Sequence, residues 1–214
     1  MRRWSLAVIG LVATALLAAE GKVPALKPTK ADVGKLPAGW TAAQTGKGKS
    51  VWKVVADDTA PSKSGFVLAQ TSDDPDALFN LCVADDGSYK DVELGVAFKA
   101  VAGKKDQGGG LVWRYQDADN YYIARMNPLE DNFRVYKVVG GKRSKAFENA
   151  DVKVPAGEWH TLKVKMAGDH IECFLDGKKY LDVKDDAIPK AGKVGLWTKA
   201  DAQTYFDDFK VSGK

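Results

Sequence analysis

The sequence predicts an all-β fold, a two-sheet antiparallel sandwich, and three observations support this class. Beyond residue 19, about a dozen short runs alternate apolar and polar side chains, which is the two-residue period of half-buried strands. Glycine, aspartate and proline separate the runs at short intervals. No stretch after residue 19 has helical periodicity. Many short strands with frequent turns are typical of sandwiches and barrels.

The first 19 residues have the layout of a secretory signal peptide. Arg2 and Arg3 precede an apolar run from Trp4 to Leu17, and two small residues, Ala18 and Ala19, follow it. A bilayer core needs about 20 apolar residues, so this run is short for a membrane anchor. We therefore predict cleavage after residue 19 and export to a secreted or periplasmic location.

The mature chain is predicted to hold a tether and one domain. Residues 20–35 are rich in lysine and proline and have no apolar period, which is typical of a tether. Residues 36–214 form a single domain of the size of many sandwiches. In chain order, the runs that we predict as strands are VWKVV, FVLAQT, LFNLCVA, DVELGVAFKAV, LVWRY, YYIARM, FRVYKVV, WHTLKVKM, HIECFLD, KYLDV, KVGLWTK and TYFDDFKV.

Composition excludes several classes of function. Without Arg2 and Arg3 the count of Lys and Arg falls from 32 to 30 against 28 Asp and Glu, a net charge of +2. That balance, with no dense basic run, does not suggest nucleic-acid binding. No further apolar run is long enough to span a membrane in the mature protein. His160 and His170 are the only histidines, so zinc clusters and Ser–His–Asp triads have little material.

Acidic residues and cysteines give two further expectations. No strand carries the closely spaced carboxylates of a retaining glycosidase. We predict no metal cofactor, and a structural calcium ion at Asp207 or Asp208 is the one alternative, since no acidic stretch has EF-hand spacing. Cys82 shares its strand parity with Asn80, whereas Cys173 is grouped with apolar residues. Opposed parity predicts that the two cysteines stay unbridged.

Residues 108–141, GGGLVWRYQDADNYYIARMNPLEDNFRVYKVVGG, predict two successive hairpins. A turn over residues 117–120 sets Arg114 opposite Ile123 and Val112 opposite Arg125, and a turn over residues 127–132 sets Arg125 opposite Arg134. Side-chain alternation then divides the hairpins into two faces. The core face collects Trp113, Tyr115, Tyr122, Ala124, Met126, Phe133 and Val135. The opposite face collects Arg114, Arg125, Arg134, Tyr121, Ile123, Asn127 and Tyr136.

Like charges opposite each other destabilise a sheet, so the three arginines need compensation. One interpretation is a salt-bridged face that uses Glu93. The other is a binding face, where Gly95 and Ala97 leave room and the Arg and Tyr donors meet an oxygen-rich ligand. Both interpretations stay open at this point.

Three stretches carry a resemblance to a known superfamily. They are GGGLVWRYQDADNYYIARMNP, GEWHTLKVKMAGDHIECFLDGKKYLD and GKVGLWTKADAQTYFDDFKV. Their order is similar to the concanavalin A-like lectin/glucanase superfamily, and within it to laminin-G-like and 3-keto-disaccharide hydrolase domains of exported bacterial proteins. LPAGW…VWKVVADD resembles the opening of the hydrolase group. The resemblance implies a jelly roll over residues 36–214. Arg114 matches the arginine after the glycine-rich strand start, where Gly108–Gly110 replace the usual Asn-Ser-Gly.

These observations lead to three functional hypotheses. The leading one is exported, non-catalytic recognition of a carbohydrate on a concave face formed by Arg114, Arg125, Arg134, Tyr121, Tyr136, Asn127 and Glu93. The second is hydrolysis of glycosides oxidised to the 3-keto form, which the resemblance implies. The third is a structural or adhesive module whose arginines are held in salt bridges. No organic cofactor is expected under any of them.

Overall fold

The computed structural model of the protein describes residues 26–73 and 77–214. One short 3₁₀ helix, Lys30–Asp32, is the only helix among them. The strands of the described residues are β1 (Trp40–Thr45), β2 (Trp52–Ala56), β3 (Phe66–Gln70), β4 (Phe79–Ala84), β5 (Val92–Ala102), β6 (Gly109–Asp117), β7 (Asn120–Asn127), β8 (Asn132–Val139), β9 (Lys142–Arg143), β10 (Glu148–Asp151), β11 (Trp159–Ala167), β12 (His170–Leu175), β13 (Lys178–Lys184), β14 (Lys193–Lys199) and β15 (Gln203–Gly213).

The strands form two antiparallel sheets, so the predicted jelly-roll sandwich is confirmed. One sheet has eight strands in the order β1-β4-β14-β6-β7-β8-β10, with β9 paired to β8. The other has seven strands in the order β13-β12-β11-β5-β15-β3-β2. The chain passes between the sheets repeatedly, so strands that are distant in sequence become neighbours. The last strand, β15, lies in the middle of the seven-stranded sheet between β5 and β3.

Apolar side chains that alternate along the strands fill the space between the sheets. Trp113 and Tyr122 are fully buried there, and their rings stack with centroids 5.5 Å apart. Each fully buried large apolar side chain stabilises the fold by about 1.5–3 kcal/mol relative to exposure. A second buried cluster lies on the outer face of the eight-stranded sheet and includes Val112, Ile123 and Trp197. The outer face of this sheet is therefore not an ordinary solvated surface.

Tight turns form where the glycine dipeptides predicted them. Gly140 and Gly141 have φ of 57° and 74°, and Asp176 and Gly177 have φ of 48° and 79°. Positive φ at both central residues gives the turn the twist of its flanking strands. The first turn joins β8 to β9, and the second joins β12 to β13.

The folded domain begins earlier than the sequence predicts. The predicted signal peptide (residues 1–19) and residues 20–25 of the predicted tether lie outside the described residues. From residue 26 the tether belongs to the domain, since Leu26 is buried in the core. The backbone of Gly34 and Lys35 exchanges hydrogen bonds with Val54 of β2. No described helix is both apolar and long enough to cross a bilayer.

Both cysteines are free and fully buried, but the parity argument for this outcome is wrong. Cys82 points into the space between the sheets, as Cys173 does, because Leu81 and Val83 face the outer cluster instead. The two thiols come from different sheets, β4 and β12. Burial raises the pKa of both thiols well above the ordinary value.

Candidate functional site

A bulge in β6 places Arg114 and Tyr115 on the opposite faces from those that the sequence predicts. Gly110 pairs with Arg125 and Val112 with Ile123, and the regular ladder then stops at Trp113 until Asp117 pairs with Asn120. The turn lies over residues 117–120 as predicted, but the pairing of β6 with β7 before it is shifted by two residues. Val112 was predicted opposite Arg125 and pairs with Ile123 instead. Arg114 has a φ of 45°, in the left-handed region that side-chain-bearing residues rarely adopt. From this point Tyr115, predicted for the core face, packs against the outer cluster.

Arg114 does not share a face with the other two arginines. Its side chain is 2% exposed and donates three hydrogen bonds to backbone carbonyls. The acceptors are the oxygens of Lys90 (Nε, 2.9 Å), Ile188 (Nη1, 2.9 Å) and Gly168 (Nη2, 2.6 Å). Burial lowers the pKa of this guanidinium. Arg114 therefore ties three loops to the end of the sandwich, which corrects its placement on the predicted arginine face.

The remaining register of the predicted face is confirmed. Arg125 pairs with Arg134, and Ile123 with Tyr136, on the outer face of the eight-stranded sheet. The compensating carboxylate is Glu130, from the turn between β7 and β8. Glu130 Oε2 lies 2.8 Å from Arg125 Nη2 and 3.6 Å from Arg134 Nη1.

Glu130 remains ionised because of these partners. Partial burial disfavours its charge, but hydrogen bonds from Arg125 and Asn132 and the charges of Arg125 and Arg134 lower its pKa to about 2. Asn127 positions the turn, since its Oδ1 accepts hydrogen bonds from the backbone N–H groups of Leu129 and Glu130.

Glu93 is not part of this face. It lies on β5 in the seven-stranded sheet, where Lys163 Nζ and Lys165 Nζ approach its carboxylate at 2.6 and 3.2 Å. Gly95 and Ala97 also lie on β5, so the space that these small residues provide is not next to the arginines. They line a depression of about 470 Å³ on the opposite side of the molecule, together with Trp159.

A buried carboxylate that the sequence analysis missed lies beside Arg125. Asp106 is 1% exposed and accepts hydrogen bonds from Asn127 Nδ2 (2.9 Å) and Lys199 Nζ (3.1 Å). Burial raises the pKa of Asp106, although the charges of Arg125 and Lys199 oppose the rise. Asp201 positions the loop, because its carboxylate accepts the backbone N–H groups of residues 104–106.

Arg143 spans the outer face of the sheet. Its Cζ lies 4.6 Å from the ring centre of Tyr136 on β8 and 5.3 Å from that of Phe79 on β4. Three strands, β14, β6 and β7, separate β4 from β8. Strands are about 4.8 Å apart, so a flat sheet would hold these rings about 19 Å apart. The sheet must therefore curve strongly, with this face concave. We call the region of Phe79, Arg125, Arg134, Tyr136, Arg143 and Trp197 the arginine groove.

Two arginines of the groove have buried nitrogen atoms without acceptors. These atoms are Nε and Nη1 of Arg125 and Nη1 of Arg143, and no described group accepts a hydrogen bond from any of them. Arg125 is only 2% exposed, so bulk solvent does not reach these donors freely. An unpaired buried donor costs about 1–3 kcal/mol. The groove is consequently short of hydrogen-bond acceptors.

The other predicted ligand residues have buried structural contacts. The hydroxyl of Tyr121 is 2.7 Å from that of Thr45, the residue is fully buried, and burial raises its pKa above the ordinary range. Asn127 is also fully buried. Asp207, suggested as an ion ligand, uses both carboxylate oxygens to accept backbone N–H groups of Ser62 and Asp208. These two hydrogen bonds satisfy both oxygens of the buried Asp207 carboxylate, so its burial does not require a bound ion.

A comparison with known families identifies the chain. The family described as the 3-keto-alpha-glucoside-1,2-lyase-like domain matches residues 31–212. The chain belongs to this family. The resemblance inferred from the glycine-rich strand and the Asn-Tyr-Tyr strand is thereby confirmed. Arg114 is the arginine that follows the glycine-rich strand start. In this chain it is buried and donates hydrogen bonds to the backbone of three loops.

Solved structures agree on the fold. The carbohydrate binding module CBM66 from Bacillus subtilis is 20% identical and has a TM-score of 0.66, over 82% of this chain and 96% of its own. A Bacillus subtilis protein of unknown function with a galectin-like fold is 12% identical, with a TM-score of 0.58 over 80% and 88% of the two chains. The GH43 protein BlXynB from Bacillus licheniformis is 18% identical, with a TM-score of 0.52 over 76% of this chain and 37% of its own. No curated protein sequence matches this chain.

Proposed function

We propose that this protein is an exported carbohydrate-binding β-sandwich that holds a saccharide in the arginine groove. The observation that carries the proposal is the set of unpartnered guanidinium nitrogens of Arg125 and Arg143. Saccharides are dense in oxygen acceptors and could accept hydrogen bonds from all of these donors. Membership of the lyase-like family and the fold shared with a carbohydrate binding module support the same ligand class.

Aromatic rings beside these donors suit a sugar as well. Tyr136 and Phe79 flank Arg143, and Phe79 lies 5.4 Å from the ring of Trp197. Aromatic faces offer apolar area to the C–H groups of a sugar ring, while polar groups at the margin fix its hydroxyls. Entry of a ligand requires Arg143 to move, because its side chain lies between the two walls of the groove.

Binding to a saccharide panel tests this proposal. The mature chain should bind at least one saccharide in calorimetric titrations, and Arg125→Gln should weaken the binding about tenfold or more. Lys165→Gln, which removes a charge from the other sheet, is the matched control and should bind as the parent does. If Arg125→Gln does not fold, Arg134→Gln tests the groove from a more exposed position. A parent that binds no saccharide would rule the proposal out.

Export is tested separately. Residues 1–19 have the signal-peptide layout, so the mature protein should begin at Glu20. Expression of the full chain in a bacterial host, followed by mass measurement of the exported fraction, checks the cleavage site. Retention of the full-length chain in the cytoplasm would contradict export.

The carboxylates beside Arg125 favour a second candidate function, cleavage of 3-keto-glycosides. Burial raises the pKa of Asp106, whereas arginine and asparagine partners lower the pKa of Glu130 to about 2. Paired groups with opposite pKa displacements are typical of acid–base sites. A ketone at C3 acidifies the hydrogen on C2. Asp106 could remove that proton while the C2 electrons form the C1–C2 double bond and the C1 oxygen leaves, taking a proton from solvent.

Incubation with 3-keto-disaccharides distinguishes the two functions. Catalysis predicts release of the leaving sugar, and Asp106→Asn should abolish that release while the far-ultraviolet spectrum stays unchanged. Ordinary disaccharides, which lack the acidified C2 hydrogen, are the matched substrates and should not react by this route. If the 3-keto form binds but is not cleaved, carbohydrate binding is the only one of the two functions that remains.

A further inference from the structure

The charges of the arginine groove are unbalanced. Four cations, Arg125, Arg134, Arg143 and Lys199, have side chains in or beside the groove, and two carboxylates, Asp106 and Glu130, form ion pairs with three of them. Glu130 forms ion pairs with both Arg125 and Arg134, and Asp106 accepts a hydrogen bond from Lys199. Within residues 26–73 and 77–214, no carboxylate pairs with Arg143. Among the side chains that the structure describes, four positive charges against two negative charges leave the groove at +2.

Arg143, the cation without a carboxylate, lies over the ring of Tyr136 together with Arg125, whose own charge is paired with Glu130. Arg125 is 2% exposed and has two unpartnered nitrogens, and Arg143 has one. Both guanidinium groups lie within 6.0 Å of the ring of Tyr136. A neutral hydroxyl could accept a hydrogen bond from these nitrogens but would leave the charge of Arg143 uncompensated. An anionic oxygen group does both, and hydrogen bonds to charged partners are roughly twice as strong as neutral ones.

We infer that the ligand of the arginine groove is an anionic saccharide, whose carboxylate or sulfate group binds between Arg125 and Arg143 beside Tyr136. This inference rests on the proposed carbohydrate-binding function and narrows its ligand class. The flat guanidinium fork matches two oxygens of one acidic group, which a lysine could not do. On binding, Arg143 turns from its position between the rings of Phe79 and Tyr136 toward the acidic group.

The test uses saccharides matched in sugar, linkage and length. Each set contains a neutral oligosaccharide, the uronic-acid form, the methyl ester of that acid, and a sulfated form. We expect the acidic forms to bind about 10- to 100-fold more tightly than the neutral oligosaccharide and the ester. The preference should shrink as salt rises, because screening weakens charge interactions. Tight uronate binding would assign a carboxylate, and tight binding of the sulfated form alone would assign a sulfate.

Two variants assign the preference to Arg143. Arg143→Gln should remove most of the acidic preference. Lys142→Gln, which removes the same charge from the neighbouring exposed position, should retain it. Equal affinity for neutral and acidic members would overturn this inference and leave the proposed function standing. Equal behaviour of the two variants would also overturn it. Absence of binding to every member of every set would remove the proposed function itself.

Discussion

Arg114 Nη1 donates a 2.9 Å hydrogen bond to the carbonyl oxygen of Ile188, a residue of the loop between β13 and β14. Its two other bonds reach the loops that hold Lys90 and Gly168. A single side chain therefore fastens three loops to one end of the sandwich. Its positive φ places the guanidinium toward these loops instead of the groove, so the backbone conformation and the contacts are explained together.

Replacement of this arginine should mainly affect stability. Arg114→Met keeps much of the side-chain volume but leaves three carbonyl oxygens without their donor. The bond to Ile188 is buried, whereas the bonds to Lys90 and Gly168 are partly buried and water can replace their donor. An unpaired buried group costs about 1–3 kcal/mol, so we expect a loss of about 1–3 kcal/mol in the free energy of unfolding. Urea unfolding curves of the parent and the variant measure it. Lys90→Met removes a nearby side chain but no backbone acceptor, and should change stability by less than about 0.5 kcal/mol. A fully stable Arg114→Met would contradict the bracing role.

The thiols should be inert in the folded protein. Cys82 and Cys173 are fully buried, and burial raises the pKa of both thiols, so almost no thiolate forms near neutral pH. We expect iodoacetamide to label neither cysteine until denaturant is added, and both afterwards. Mass spectrometry of the alkylated protein counts the labels. A two-proton mass difference on reduction would reveal a bridge and refute the free state of both.

Much of the fold was predictable because strand period and turn chemistry act locally. The glycine dipeptides 140–141 and 176–177 marked real turns, and β7 and β8 have no bulge, so the pairing of Arg125 with Arg134 followed from alternation. The face of Arg114 was not predictable by the same rule. LVWRYQ alternates like a regular strand, and nothing in those letters indicates a positive φ at the arginine.

The groove and its surroundings were only partly predictable, because the two carboxylates beside it come from turns and loops. Asp106 and Glu130 belong to segments without any period, and their positions depend on Asp201 and Asn127. Arg143 could have been found, since a two-residue turn at Gly140-Gly141 places it opposite Val138. Its contact with Phe79 depends on the curvature of the whole sheet, which no local pattern encodes.

The loop that holds Asp106 should depend on Asp201. The Asp201 carboxylate accepts the N–H groups of residues 104–106, and these bonds oppose the effect of burial and lower its pKa. Asp201→Ala removes both acceptor oxygens from the three N–H groups, so we expect faster amide hydrogen exchange at residues 104–106 and about 1–3 kcal/mol of lost stability. Asp117→Ala, which alters another turn, should leave exchange at residues 104–106 unchanged. Unchanged exchange in Asp201→Ala would refute the anchoring role.

Glu130 should make the stability of the protein depend on pH in the acidic range. Its pKa in the folded protein is about 2, against an ordinary value of 4.5, chiefly because hydrogen bonds from Arg125 and Asn132 overcome the opposing effect of burial. A carboxyl group with a lowered folded pKa binds protons more readily in the unfolded chain, so acid favours unfolding. The stability that Glu130 contributes is therefore complete above about pH 5 and is lost as pH falls toward 2.

The matched variant isolates this contribution. Glu130→Gln keeps the shape of the side chain but leaves Arg125 and Arg134 opposite each other without a carboxylate. Because the Glu130 side chain is 38% exposed, solvent screens the pair, and we expect a loss of about 1–2 kcal/mol at pH 7. The difference in unfolding free energy between parent and variant should shrink steadily from pH 5 to pH 2. Glu158→Gln, at an exposed turn, should show no such trend. A parent-to-variant difference that is constant across this range would mean that the Glu130 carboxylate does not hold the two arginines together.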